Sequence, residues 1–166
     1  MVESLVNWTL RTGVGDFVQS HTWMFPMGEA LHFMGLSLLI GTVGMVDLRM
    51  LGLAKRLPFA PLHGLVPWGI AGFVINLFTG IMFWFVNPEL YALEVGIISA
   101  YKLLFIFLAG INLLAFYLTG MSRAVDDLGP GEDAPPLAKV IAGTSLFLWV
   151  GVIYWGRLIP WGQFSP

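Results

Sequence analysis

Glu29 and His32 sit three residues apart in the stretch Trp23-Met24-Phe25-Pro26-Met27-Gly28-Glu29-Ala30-Leu31-His32, which runs on into a long apolar sequence. An ionisable group in hydrocarbon costs about 2.5–3.5 kcal/mol by insertion scales. A carboxylate and an imidazole kept in such a place point to something that they hold. On a helix at 100° per residue, Gly28, Glu29, Gly35 and Leu36 fall within about 60° of His32. Glycines one turn above and one turn below the imidazole clear a flat surface beside it. A porphyrin needs that surface when its iron binds the imidazole. The chemistry expected is therefore b-type haem with His32 as axial ligand and Glu29 orienting that ligand or handling protons. The same glycines equally suit close helix packing, with His32 as a polar interhelical contact paired with Glu29.

His63 follows Pro61 near Arg49, Lys55 and Arg56 and is the candidate ligand of a second haem, whose propionates those cations would meet. With the near membrane boundary at Arg49, His32 lies roughly 25 Å from it at 1.5 Å per residue. That depth argues against one haem bridging His32 and His63 within a chain. The cofactor count is thus one or two haems, and three histidines cannot fill two bis-histidine sites. An interfacial His63 facing headgroups or water is the plainer alternative. Lys102 and Arg157 fall in the depth zone of Glu29 and His32 and are candidates for the propionates there. Snorkelling to headgroups is the default for such cations. Copper is a weaker option, with His21, Met24, Met27, His32 and Met34 as donors. The Glu-x-x-His pair falls short of a di-iron site, which needs a second pair and further glutamates.

The elements that must position these residues are membrane helices. Of 166 residues, 57% are hydrophobic and 11% charged, where soluble domains carry about 25% charged. The net charge of −2 gives no electrostatic case for nucleic acid. The chain has no cysteine, which excludes disulfides, thiolate metal sites, iron–sulfur clusters and covalently attached haem. No nucleophile elbow, zinc-protease or phosphate-loop motif is present. The start of the chain lacks the basic region and cleavage site of a signal peptide, so the first apolar span is expected to be retained.

Four spans of suitable length are predicted at about 25–48, 62–86, 95–121 and 137–159, giving an all-α, up-down four-helix bundle in a single domain over 1–166. Residues 1–20 are too polar to cross. Val2, Leu5, Val6 and Trp8 could form the apolar side of a short helix on the membrane surface. Pro58 and Pro61, Asn87-Pro88-Glu89, and Gly129-Pro130-Gly131 with Pro135-Pro136 mark the connections. The last of these, from Ser122 to Pro136, is acidic and expected to be mobile. Arg49, Lys55, Arg56, Arg123 and Lys139 flank the first and third connections, which assigns those to the cytoplasm and both termini to the outer, periplasmic side. Trp23, Trp84, Trp155 and Trp161 then form an outer aromatic belt.

The string W-x-F-P-x-x-E-x-x-H-x-x-G (Trp23 to Gly35), followed by D-L-R-x-L-G (Asp47 to Gly52), resembles an uncharacterised family of small bacterial four-helix inner-membrane proteins. The resemblance implies the same architecture and location. The pattern is also loosely similar to four-helix b-type cytochromes, which implies haem held between helices by histidines. This chain departs from their bis-histidine form in having too few histidines. The expected function is one-electron transfer within or across the bilayer, between quinol and a partner protein or second haem. A homo-oligomer sharing a haem would supply the missing ligand. The competing class is a non-enzymatic subunit or scaffold of a larger complex.

Overall fold

The computed structural model describes residues 2–164, without the side chains of Ala60, His63, Gln163 and Phe164. The described residues form eight α-helices: α1 (Val2–Arg11), α2 (Val14–Ser20), α3 (Met24–Met50), α4 (Phe59–His63), α5 (Val66–Val86), α6 (Gly96–Leu118), α7 (Met121–Asp126) and α8 (Pro136–Leu158). A π-helical turn at Leu90–Glu94 precedes α6, and a 3-10 turn at Ile159–Phe164 follows α8. Helices α3, α5, α6 and α8 are long and apolar enough to cross a membrane. At 1.5 Å per residue, α3 is about 40 Å long, and it exceeds a hydrocarbon core of about 30 Å. Phe33, Phe78, Leu103, Phe107, Phe147 and Val150 are more than half exposed on these helices. So much apolar surface suits lipid rather than water.

The second predicted span is broken in the structure. Residues before Val66 form the separate helix α4, and Pro67 stands in the first turn of α5. Its missing N–H costs nothing there, whereas inside a continuous helix it would remove a hydrogen bond. At the other end of α3, Gly52 takes φ +89°, and its N–H donates to the Arg49 carbonyl while Leu53 N–H donates to the Leu48 carbonyl. This pair of bonds is the Schellman stop, which needs a residue with positive φ and so favours glycine.

The long helices pack as two antiparallel pairs, α3 with α5 and α6 with α8, joined mainly through α3 and α8. Helices α1 and α2 and the turn after α8 lie at one end of the bundle, here the termini end. The connections between α3 and α5 and between α6 and α8 form the opposite, loop end. A buried apolar cluster of Met50, Phe59, Leu62, Phe116, Val125, Ala138 and Ile141 fills the loop end. Arg49 is wholly buried there. Its Nε donates to the Leu57 carbonyl at 2.6 Å, one Nη to Glu132 at 3.1 Å and the other to Gly129 at 3.0 Å, and its guanidinium lies 4.6 Å from the Phe59 ring centre. Gly131 N–H donates to the Lys55 carbonyl, and Lys55 and Lys139 both pair with Asp133. The segment expected to be mobile is therefore partly helical, as α7, and tied to the other loop.

Residues 2–20 form two short helices whose Val6, Thr9 and Val18 are buried. Gln19 Nε2 donates to the Val86 carbonyl, and Trp84 Nε1 donates to Thr9 Oγ1. Val2, Leu5, Trp8 and Phe17 remain exposed on the other side, whereas Val6, expected to share that side, is buried.

Candidate functional site

His32 lies on the third turn of α3, and its ring packs 5.3 Å from that of Phe83 on α5. Its Nδ1 is 2.7 Å from Thr79 Oγ1, and that hydroxyl is also 2.7 Å from the Ile75 carbonyl four residues back. A threonine hydroxyl has one proton. If it went to the imidazole, two oxygens 2.7 Å apart on Thr79 and Ile75 would face each other with no hydrogen between them. Both contacts are bonds only when Thr79 donates to Ile75 and accepts from His32 Nδ1–H. That assignment leaves a lone pair on Nε2, the form in which histidine ligates metals or accepts protons.

Gly28 and Gly35 are both buried in the α3–α5 contact. A Cβ on Gly35 would lie 2.6 Å from Asn76 Nδ2, 2.8 Å from the Gly72 carbonyl oxygen and 2.9 Å from Ile75 Cγ2. One on Gly28 would strike the Met82 side chain. The surface that these glycines clear is thus taken by α5. Gly28 and Thr79 also line a groove of about 280 Å³ along the α3–α5 contact, and α3 packs chiefly on α5 and α8 rather than on α6. Lys102 of α6 lies within electrostatic range of His32, with its Nζ beside Gly156 of α8. Tyr101 stacks on Trp155 at 4.8 Å next to it, an aromatic wall on that side.

Glu29 is exposed, one turn toward the chain start, within electrostatic range of Tyr91 in the π-helical turn. Burial raises the Tyr91 phenol above its ordinary value, and the Glu29 charge adds to that rise. Arg157 sits near the end of α8 with its guanidinium 5.8 Å from the Trp161 ring centre. His32, Glu29, Lys102 and Arg157 therefore share the termini end of the bundle.

Arg49 and His63 are at the loop end, apart from that set. The Arg49 donors are engaged by three carbonyls, which leaves its guanidinium a structural tie. The backbone of His63 closes α4, while its side chain lies outside the described residues. The histidine and methionine donors weighed for copper are not gathered. Met24 and Met27 line the groove along the α3–α5 contact, Met34 is 61% exposed, and His21 Nδ1 is engaged by Phe17 and Ser20. Among the described residues no three metal-binding side chains of the His, Asp and Glu types cluster.

Sequence reasoning missed Thr79, Tyr91 and Asp47. A threonine in an apolar helix carries no mark of its partner, and Tyr91 is brought in by a turn that the sequence does not announce. Asp47 is a carboxylate 3% exposed inside α3, and its place in an apolar run was the signal. Comparison with known proteins returns no matching family model, curated protein or solved structure.

Proposed function

We propose that the protein is a multi-pass bacterial inner-membrane electron carrier that binds b-type haem through His32 Nε2. The observation that carries this reading is the His32–Thr79 hydrogen bond. It fixes the ring and leaves Nε2 available, as outer-shell partners of metal-bound histidines do. Lys102 of α6, within electrostatic range of His32, has the charge to meet a propionate, and Arg157 is the second cation at that end. Haem would supply a one-electron couple. The chain would supply the ligand, the cations and an aromatic flank from Tyr101 and Trp155.

The excess of basic residues at the loop end supports a cytoplasmic loop end and periplasmic termini. The site would then lie in the outer leaflet, where quinol and a periplasmic redox protein are the natural partners. The sixth position of the iron would be filled by a second copy of the chain, by methionine or by water. A second haem at His63 would stand at the cytoplasmic end.

A reduced-minus-oxidised spectrum of the purified protein tests the proposal. It predicts a b-type α-band from which His32→Ala removes the outer share, the whole band if there is one haem, and which His63→Ala diminishes only if a second haem is present. A folded, colourless protein that co-purifies with a larger complex favours the scaffold class instead, and copper in metal analysis without haem favours the copper site.

A further inference from the structure

Asp47 is a second ionisable group that α3 carries into the bundle, and the His32 site does not involve it. It lies eighteen residues after Glu29, about five helical turns, and so on the same face of α3. The side chain is 3% exposed. The Ser145 hydroxyl of α8, itself 7% exposed, reaches the carboxyl group, while Asp47 Oδ2 has no hydrogen-bond partner among the described residues. Around Ser145 the buried face of α8 is Ile141, Ala142 and Leu148.

Among the described side chains, the fixed cations are engaged or lie elsewhere. The Arg49 guanidinium, two residues on, binds the carbonyls of Leu57, Gly129 and Glu132. Lys55 and Lys139 both pair with Asp133. Arg56 and Arg123 are exposed, and Lys102 and Arg157 belong to the termini end. Of the elements packed on α3, helix α5 has no titratable residue, α8 has Lys139, Tyr154 and Arg157, α2 has Asp16, and α4 has His63, whose side chain is outside the described residues. A buried carboxylate with no fixed counter-charge either coordinates a cation or takes up a proton. A hard metal cation wants about six oxygens, and among the described residues no three metal-binding His, Asp or Glu side chains gather here.

We infer that Asp47 is a proton-binding site, a carboxylic acid that carries its proton inside the bundle and exchanges it with the loop end. The added proton removes the uncompensated charge and lets the acid donate to the Ser145 oxygen. Along α3, Asp47 lies nearer the loop end than the termini end. Met50, the last residue of α3, is about 4.5 Å of helix rise away, whereas Met24 is about 34 Å away. The site stands whether or not His32 holds haem.

Infrared spectra of the purified protein at pH 7, in H2O and in D2O, test this directly. Wild type shows the carbonyl band of a protonated carboxyl, shifted down on mixing with D2O, and Asp47→Asn lacks it while keeping wild-type thermal stability. If Asp47→Asn does not fold, Asp47→Glu decides, because the longer side chain moves the band. Absence of the band in wild type, a band unchanged in either variant, or one that shifts in D2O only after unfolding overturns the inference.

Discussion

Replacing Thr79 with valine keeps the shape of the side chain and removes the one group that orients His32. The ring then keeps its packing against Phe83 but loses its fixed tautomer. Outer-shell losses of this kind cost about 10–100-fold in affinity. Haem titration should therefore show Thr79→Val weakened by that factor, Thr79→Ser close to wild type, and His32→Ala without binding at this site. At the loop end, Lys139 and Lys55 hold Asp133 below its ordinary value of 3.8. A depressed carboxylate stabilises the fold fully above the unfolded value and loses that contribution as pH falls through the folded one. Thermal melts should thus show acid sensitivity below about pH 4 that Asp133→Asn reduces, by a small amount because the group is exposed. The sequence made His32 and Glu29 legible because ionisable residues in an apolar run are conspicuous. It could not show that Thr79 meets His32, since contacts between residues so far apart depend on the relative rotation of two helices. The cation expected at an inner haem, Arg49, serves backbone carbonyls instead, and carbonyl recognition leaves no trace in residue types.

The four long helices were readable from apolar length, and their ends from proline and glycine. The break before α5 was not, because Phe59–His63 is as apolar as the helix that follows and only Pro67 marks the restart. The glycines of α3 were read correctly as a surface without side chains, but α5 occupies it. That packing yields a contrast within one helix. Gly35→Ala places a Cβ against Asn76, Gly72 and Ile75 and should destabilise by about 1–3 kcal/mol, the usual cost of overpacking. Gly41→Ala, with open space around the added carbon, should be neutral or stabilising by up to about 1 kcal/mol through helix propensity. Unfolding of both variants in the same detergent checks the pair. The π-helical turn that brings Tyr91 beside Glu29 had no sequence signal beyond Asn87-Pro88.

At the scale of the molecule, the two helix pairs meet chiefly through α3 and α8 and are fastened at the loop end. The fastening rests on Arg49, whose guanidinium ties the loop after α3 to the loop before α8. Lysine cannot reach three carbonyls in a fork, so Arg49→Lys and Arg49→Ala should both loosen the two loops together. Hydrogen bonds to a charged donor contribute about 1.5–3 kcal/mol each, and limited proteolysis between residues 52 and 57 and between 128 and 135 should accelerate in step in each variant. Cleavage of one loop alone would show that Arg49 does not couple them. The most direct measurement is the reduced-minus-oxidised spectrum of purified wild type beside a folded His32→Ala. A b-type α-band is expected in wild type and is lost in the variant, except for any share that His63→Ala itself removes. A folded wild type without the band, or a band undiminished in His32→Ala, contradicts the His32 site.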